Sequence, residues 1–142
     1  MNVRITRTHP DAVLPEYKTP GACCFDIVCI QDDVVPPKTI SFLPTGLVVC
    51  VPKGYMLMVA SRSSTPKRGL QIIQGVGILD QDYCGPNDEL KLMVYNYTDQ
   101  PVQVKKGDRV YQAGFVRIDR AEWEEGPTVT EASRGGWGST GK

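Results

Sequence analysis

Short apolar runs rich in β-branched and aromatic residues recur along the chain, and proline or glycine separates most of them. Six such runs stand out, at residues 25–30, 39–43, 47–51, 55–60, 90–97 and 109–118. Runs of this length, bounded by residues that cannot continue a ladder, are typical of β-strands. No segment keeps an apolar period of 3.6, and the best helical candidate, 119–125, is at most a turn or two. The pattern predicts an all-β domain of sandwich or jelly-roll type.

The length of 142 residues suits one domain with a core of its own. Its last ten residues, 133–142, depart from the strand pattern because they hold four glycines and one tryptophan. Such a segment has too little apolar surface to order alone. We predict a β-rich core over 1–132 and a flexible glycine-rich arm over 133–142 that orders on a ligand or partner. The alternative is a frayed terminus in which Trp137 is incidental.

Sixteen basic and sixteen acidic side chains leave the chain with no net charge. No global field therefore draws it to nucleic acid or to an anionic membrane, and no run approaches the ~20 apolar residues of a membrane span. We expect no nucleic-acid or membrane partner and a cytoplasmic or otherwise intracellular location. The five cysteines are odd in number and lack the spacing of a zinc site, so we interpret them as free thiols.

Two carboxylates end a glycine-flanked apolar stretch at residues 75–85, where Asp80 and Asp82 follow Ile78 and Leu79. This stretch predicts one arm of a β-hairpin whose return arm is 90–96, because the connection is rich in turn formers. Exposed acids in turns are most often solvated side chains. The alternative is a carboxylate pair that binds a polar ligand beside open backbone edges.

Two further segments carry polar side chains whose positions the strand pattern does not explain. Asp26 interrupts an otherwise apolar strand, where it either caps a turn or holds a cation. The tract 60–69 places Arg62, Lys67 and Arg68 among hydroxyl residues, which are donors suited to phosphate oxygens. By itself this tract is equally a polar loop.

These segments, taken in order, resemble the five motifs of the trimeric dUTPase family. The similar stretches are LPEYKTPGACCFDI (14–27), SRSST (61–65), GVGILDQDYCG (75–85), GDRVYQAGF (107–115) and RGGWGSTG (134–141). The resemblance runs from about Val3 to the C-terminus. It implies a distorted jelly roll (the dUTPase-like β-clip) assembled as a homotrimer, in which each active site takes residues from all three chains and the arm closes over a neighbour.

The resemblance also implies the reaction: hydrolysis of dUTP to dUMP and pyrophosphate by attack of water on the α-phosphate. This reaction keeps uracil out of DNA and supplies dUMP for thymidylate synthesis. Asp80 matches the family's general base, and Asp26 matches a residue that holds Mg²⁺ through water. The substrate-binding positions that the motifs imply are Arg62, Ser63, Ser64, Gln112, Arg134, Ser139 and Thr140 for phosphate, Gly77, Ile78 and Lys91 for uracil, Tyr83 for deoxyribose and Trp137 for stacking on the base.

Two rival functions remain open on the sequence. The Arg-Ser-Ser sequence at 62–64 is also similar to the related dCTP deaminases, which share the fold. A noncatalytic trimeric nucleotide sensor or partner-binding module is the third possibility. The short chain and the sequence Asp-Gln-Asp-Tyr at 80–83 stand against the deaminase, and the set of Asp26, Asp80 and Tyr83 favours an enzyme over a noncatalytic protein.

Overall fold

A computed structural model describes residues 1–136. Within them the chain forms eleven β-strands and one short 3-10 helix at Pro66–Arg68. The strands are β1 (Arg4–Arg7), β2 (Phe25–Val28), β3 (Asp33–Val35), β4 (Ile40–Pro44), β5 (Leu47–Cys50), β6 (Tyr55–Ser61), β7 (Leu70–Gln71), β8 (Gly77–Leu79), β9 (Lys91–Asn96), β10 (Val102–Val104) and β11 (Arg109–Arg117). The predicted all-β class is confirmed, and each of the six predicted runs contains a strand.

All strand pairs are antiparallel and form four small sheets. The largest has the order β2-β11-β6-β8, and a second has the order β4-β9-β7. Two-stranded sheets pair β1 with β5 and β3 with β10. Strand β11 is the longest, and it lies between β2 and β6.

One hydrophobic core lies between these sheets. Alternate residues point into it, as β9 illustrates with buried Leu92 and Val94 between half-buried or exposed neighbours. Ile27 on β2 and Leu57 on β6 are fully buried in the same core. Since each such side chain contributes about 1.5–3 kcal/mol when removed from water, the core fixes which face of each sheet points inward.

The predicted hairpin between 75–85 and 90–96 is wrong. Strand β8 pairs with β6, with Leu79 opposite Leu57, whereas β9 pairs with β4 and β7. The connection between β8 and β9 is longer than the 2–5 residues of ordinary hairpin loops, so it does not force the two strands together. They flank a cavity instead.

The helical candidate at 119–125 is also wrong, because these residues form no regular element. Trp123, its one large apolar side chain, is 94% exposed. A surface helix needs an apolar stripe to bury, and this segment offers none. After β11 ends at Arg117, residues 118–136 contain no strand or helix. The boundary at residue 132 stays a prediction.

The interpretation of all five cysteines as free thiols is wrong for two of them. Cys50 and Cys84 form a disulfide across a sequence separation of 34 residues, with Cα atoms 5.0 Å apart. Cys23, Cys24 and Cys29 are free. Burial raises the pKa of the Cys29 thiol to about 12, so this cysteine stays protonated.

The structure contains no helix, among residues 1–136, with the length and apolarity to cross a bilayer.

Asn96 should be the most costly polar side chain to remove from the core. It is fully buried, donates to the carbonyls of Val35 (2.9 Å) and Gln100 (2.8 Å), and accepts from the backbone N–H (2.9 Å) and the hydroxyl (2.8 Å) of Thr98. Asn96→Ala leaves buried groups unpaired, so we expect it to lower the free energy of unfolding by roughly 2–4 kcal/mol. Urea denaturation measures this. Exposed Asn87→Ala is the matched control, and equal stability of the two variants would contradict the assignment.

Candidate active site

Polar side chains gather at the two edges of the four-stranded sheet. Asp26 lies on edge strand β2, and Asp80 follows directly after edge strand β8. The group on the β2 side, which we call the phosphate-side cluster, consists of Asp26, Arg62, Ser63, Arg109 and Gln112. A second group surrounds Asp80 on the β8 side.

Asp26 holds two arginines in the phosphate-side cluster. Arg62 Nε lies 2.8 Å from its Oδ1, and Arg109 Nη1 lies 2.9 Å from its Oδ2. Arg62 Nη1 also donates to the Arg109 carbonyl at 3.0 Å. The Asp26 side chain is only 14% exposed. One carboxylate shared by two guanidinium groups leaves a net positive charge, so the cluster attracts anions.

The cluster opens on a cavity of about 410 Å³. Its lining residues are Lys18, Cys24, Asp26, Arg62, Ser63, Arg109 and Gln112. Gln112 faces the cavity from the middle of the sheet, where its Nε2 donates to the Ser61 carbonyl at 3.2 Å. Guanidinium, ammonium, hydroxyl and amide groups are the donors that bind phosphate oxygens in proteins.

A tight turn before β11 presents Arg109 to this cavity. Gly107 has φ +90°, a backbone conformation that residues other than glycine rarely adopt, and Asp108 follows it. The Asp108 carboxylate accepts from the Lys105 N–H (2.8 Å) and from Arg68 Nη2 (2.5 Å). Desolvation works to raise its pKa, but these two hydrogen bonds and the charge of Arg68 outweigh it and hold the pKa below its usual range. The turn is thus fixed by an ionised acid.

The second cavity, of about 310 Å³, lies between β8 and the start of β9. Its lining residues are Phe42, Ile78, Leu79, Asp80, Tyr83, Asn87, Glu89, Leu90 and Lys91. Strand β8 is an edge strand, and β7 covers only Tyr95 and Asn96 of β9. Backbone N–H and C=O groups of β8 and of the first half of β9 are therefore open to a ligand on this side.

Asp80 lies where this cavity meets another one of about 470 Å³, which is lined by Tyr55, Met56, Asp80, Gln81, Asp82, Ile118 and Arg120. Its side chain is exposed. The loop beyond it is closed by short-range hydrogen bonds, from Tyr83 N–H to the Asp80 carbonyl (3.4 Å) and from the Tyr83 hydroxyl to the Glu89 carbonyl (3.2 Å). Asp80 can thus reach a ligand in either cavity.

The strand register separates the two groups widely. Asp26 is level with Gln112 and Ala60, whereas Asp80 is level with Met56, one step beyond the Leu57–Leu79 pair. Three strand spacings across and four residues along the sheet place their Cα atoms about 20 Å apart. None of the cavities formed by residues 1–136 that we describe is lined by both Asp26 and Asp80.

Comparison with known proteins decides the family. The sequence model of the dUTPase family matches residues 11–141. The deoxyuridine 5'-triphosphate nucleotidohydrolase of Wolinella succinogenes is 34% identical over 145 residues, which cover 100% of this chain and 95% of that protein. The chain belongs to the dUTPase family.

Solved structures of dUTPases have the same fold. The Staphylococcus bacteriophage 80alpha dUTPase with dUPNHPP superposes with a TM-score of 0.86 at 21% identity, over 99% of this chain and 98% of that one. A mutant dUTPase from phage phi11 of S. aureus, described for its coordination of a structural Mg(II) ion, superposes with a TM-score of 0.80 at 21% identity, over 92% and 98%. The predicted distorted jelly roll is therefore confirmed as the dUTPase fold.

The structure brings most of the predicted site residues into two groups. Asp26, Arg62, Ser63 and Gln112 line the 410 Å³ cavity, whereas Ile78, Asp80, Tyr83 and Lys91 line the 310 Å³ cavity. The remaining three described positions are outside both linings: Gly77 lies next to Ile78 on β8, Ser64 lies in the turn after Ser63, and Arg134 lies in the exposed segment after β11. The predicted positions Trp137, Ser139 and Thr140 lie outside the described residues.

Sequence reasoning missed Arg109 and Phe42. Arg109 stands inside the fourth motif, and its neighbour Asp108 marked the turn that positions it. Phe42 lines the 310 Å³ cavity and is 59% exposed. Its outward position follows from alternation with buried Leu43, but that signal alone does not say which cavity it faces.

Direct metal coordination does not fit the described residues, since no group of three or more His, Cys, Asp or Glu side chains could hold an ion there. Both Asp26 oxygens already accept from arginine. Each carboxylate oxygen keeps a second lone pair, so Asp26 fits an outer-shell position toward a hydrated cation.

Arg109 should be a principal anion donor of the 410 Å³ cavity. We expect Arg109→Ala to weaken binding of inorganic pyrophosphate by roughly 10- to 100-fold, because a charged hydrogen bond contributes about 1.5–3 kcal/mol. Isothermal calorimetry measures the affinity. Arg117→Ala, at the opposite end of the same strand, is the matched control. Equal affinity of the two variants would remove Arg109 from the site.

Proposed function

We propose that this chain is a dUTP diphosphatase, which hydrolyses dUTP to dUMP and pyrophosphate by attack of water on the α-phosphorus. Membership of the dUTPase family supports the substrate. The observation that carries the residue assignment is the position of Asp80. It lines the 310 Å³ cavity, whose walls expose open backbone edges.

Uracil is selected by those backbone edges. Groups of Gly77 and Ile78 on β8 and of Lys91 on β9 offer donors and acceptors to the N3–H and the two carbonyls of uracil, whereas cytosine presents the opposite pattern at two of these positions. A site that hydrogen-bonds one base edge leaves buried groups unpaired with the wrong base, which can discriminate by roughly 10⁴–10⁵. Ile78 and Phe42 supply an apolar wall that the methyl group of thymine would meet.

Tyr83 selects the sugar. Its ring lines the same cavity, and its hydroxyl donates to the Glu89 carbonyl at 3.2 Å. The ring packs against deoxyribose and leaves no room for a 2′-hydroxyl. Trp137 of the arm stacks on the uracil, a contact worth about 1–3 kcal/mol per base.

The phosphate-side cluster holds the triphosphate. Arg62 and Arg109 are oriented by Asp26 before any ligand arrives, so little side-chain entropy is lost on binding. Ser63 and Gln112 add neutral donors from the same cavity. Ser64, Arg134, Ser139 and Thr140 complete the set of phosphate contacts, the last two at the terminal phosphate.

Asp80 acts as the general base. Its carboxylate takes a proton from the attacking water while the water oxygen bonds to the α-phosphorus. The bond from the α-phosphorus to the α,β-bridging oxygen breaks, and pyrophosphate leaves with that oxygen. The protein contributes alignment of the water and neutralisation of charge on the phosphates, which are the main sources of catalysis in phosphoryl transfer.

We infer that one chain does not perform this step alone, because the Cα atoms of Asp80 and of Asp26, which orients the two arginines, are about 20 Å apart across the sheet. A triphosphate is much shorter than this separation. We therefore place the β8 side of one subunit against the β2 side of the next. A head-to-tail contact whose rotation closes forms a ring, and the family resemblance supports a ring of three in which the arm of a further subunit covers the site.

Mg²⁺ is part of the proposal, and the phage phi11 relative supports a metal in this fold. When bound to the triphosphate, the ion neutralises negative charge on the phosphate oxygens. Asp26 would hold its water shell through the lone pairs that the arginines leave free. Because Asp26 also orients both arginines, it links the water shell to the phosphate donors.

Replacing the proposed base separates catalysis from binding. We expect Asp80→Asn to lower kcat for dUTP with Mg²⁺ by roughly 10²–10⁴-fold, since amides cannot accept the proton. Affinity for the hydrolysis-resistant analogue dUpNHpp should change little. Pyrophosphate release with dUTP, dCTP, dTTP and UTP measures turnover and selectivity, and calorimetry measures the affinity.

Asp99→Asn is the matched control, because Asp99 is an exposed acid in a remote turn that pairs with Lys38. It should keep wild-type kinetics. An Asp80→Asn variant with wild-type kcat rules out Asp80 as the base. Equal turnover of dUTP and dCTP would favour the deaminase-related alternative, and no turnover of any nucleotide would favour a binding protein.

A further inference from the structure

The Cys50–Cys84 disulfide includes the residue next to Tyr83, which lines the 310 Å³ cavity, and it takes no part in the proposed reaction. Cys50 ends β5, and Cys84 follows Tyr83 in the loop between β8 and β9. The bridge therefore ties the loop that carries the sugar-contacting tyrosine to a strand of the core.

The loop has anchors on both sides but few in its middle. Before it, Gln81 Nε2 donates to the Tyr55 carbonyl at 3.0 Å. After it, Glu89 Oε1 accepts from the N–H groups of Thr45 (3.0 Å) and Gly46 (2.8 Å). These contacts fix the two ends of the segment 82–88 to the core.

Between these anchors, the hydrogen bonds of residues 82–88 to other described residues stay within 80–89, apart from one from Arg4. Cys84 N–H donates to the Asp82 carbonyl at 3.0 Å, and Gly85 N–H donates to Asp88 Oδ2 at 2.6 Å. The sulfur bridge and the Arg4 contact are thus the covalent and hydrogen-bonded links that join this segment to described residues outside 80–89. Opening the bridge would leave the segment held mainly at its ends.

Arg4 stands next to both sulfur atoms. Its Nε lies 3.3 Å from Cys50 Sγ, and its Nη2 lies 3.8 Å from Cys84 Sγ. A guanidinium beside a sulfur stabilises the thiolate, which is the species that attacks in thiol–disulfide exchange. Both cysteines are partly exposed, so a small disulfide can reach them. Cys29, by contrast, is buried.

We propose that Cys50 and Cys84 form a reversible thiol–disulfide site whose oxidised state holds the Tyr83 loop in its nucleotide-binding position. The oxidant is a small-molecule disulfide such as glutathione disulfide. One cysteine thiolate attacks it, forms a mixed disulfide and expels one glutathione thiolate. The second cysteine loses its proton, attacks the protein sulfur of the mixed disulfide and expels the second glutathione. Two protein thiols are oxidised, and one glutathione disulfide is reduced to two thiols.

The effect on the nucleotide rests on the function proposed above. In the reduced protein the loop samples more positions, so a smaller fraction of molecules presents Tyr83 correctly. Apparent affinity falls in proportion to that fraction. Asp80 precedes the Gln81 anchor and keeps its place. Reduction should therefore raise KM and leave kcat nearly unchanged.

Thiol counting tests the site without any activity. The full-length protein is equilibrated in glutathione buffers of increasing oxidised fraction, then alkylated and measured by mass spectrometry with peptide mapping. We expect Cys50 and Cys84 to become protected together as one bridge, while Cys23 stays alkylated or carries glutathione singly. Cys50→Ser should abolish the paired protection. If Cys50 and Cys84 stay alkylated or are modified singly in the wild type, the proposal is wrong.

The functional half is tested by comparing the two redox states. We expect reduction to raise KM for dUTP, and Kd for dUpNHpp by calorimetry, at least about threefold. Cys50→Ser and Cys84→Ser should match the reduced protein under both conditions, and Cys23→Ser should keep the wild-type response. Equal Kd in both states overturns this half of the inference. Absence of turnover in both states would instead count against the proposed function, since analogue affinity and thiol counting need no turnover.

Discussion

The pairing register of one four-stranded sheet governs what this protein can do. Strands β11 and β6 lie at its centre and separate Asp26, on edge strand β2, from Asp80, which directly follows edge strand β8. Because strand spacing and residue rise are nearly constant, this register sets a separation of about 20 Å that side-chain motion cannot remove. The chain therefore presents two separate groups of polar residues, which we call half-sites, and under the proposed function each half-site is completed by the other half-site of a second copy.

Each half-site is organised before ligand binds, but by different means. On the β2 side, ion pairs do the work, since Asp26 fixes the Arg62 and Arg109 guanidinium groups at 2.8 and 2.9 Å. On the β8 side, unpaired backbone edges and Tyr83, whose hydroxyl donates to the Glu89 carbonyl, shape the cavity. Charged donors suit phosphate groups, because these are negatively charged. Backbone groups suit the edge of a base, which is uncharged and is recognised by its arrangement of hydrogen-bond donors and acceptors.

The strands and the motif residues could be predicted because their signals lie within short stretches of the sequence. Short apolar runs predicted β6, β9 and β11, and Asp26 stood out because it is an acidic residue inside an apolar strand. Partners could not be predicted the same way. The pairing of β8 with β6 and the bridge between Cys50 and Cys84 join residues that are distant in sequence, and they depend on how the core packs. Arg109 was missed because its role depends on a carboxylate 83 residues earlier.

Complementation between two inactive variants tests the shared site most directly. Arg62→Ala and Asp80→Asn chains are produced together in equal amounts, and mass spectrometry verifies that mixed assemblies form. A site that takes Asp80 from one subunit and Arg62 from its neighbour has both residues intact in about one quarter of cases, so hydrolysis of dUTP should recover to about one quarter of the wild-type rate. Mixed assemblies as inactive as either parent would contradict the account, because a site within one chain cannot be rescued.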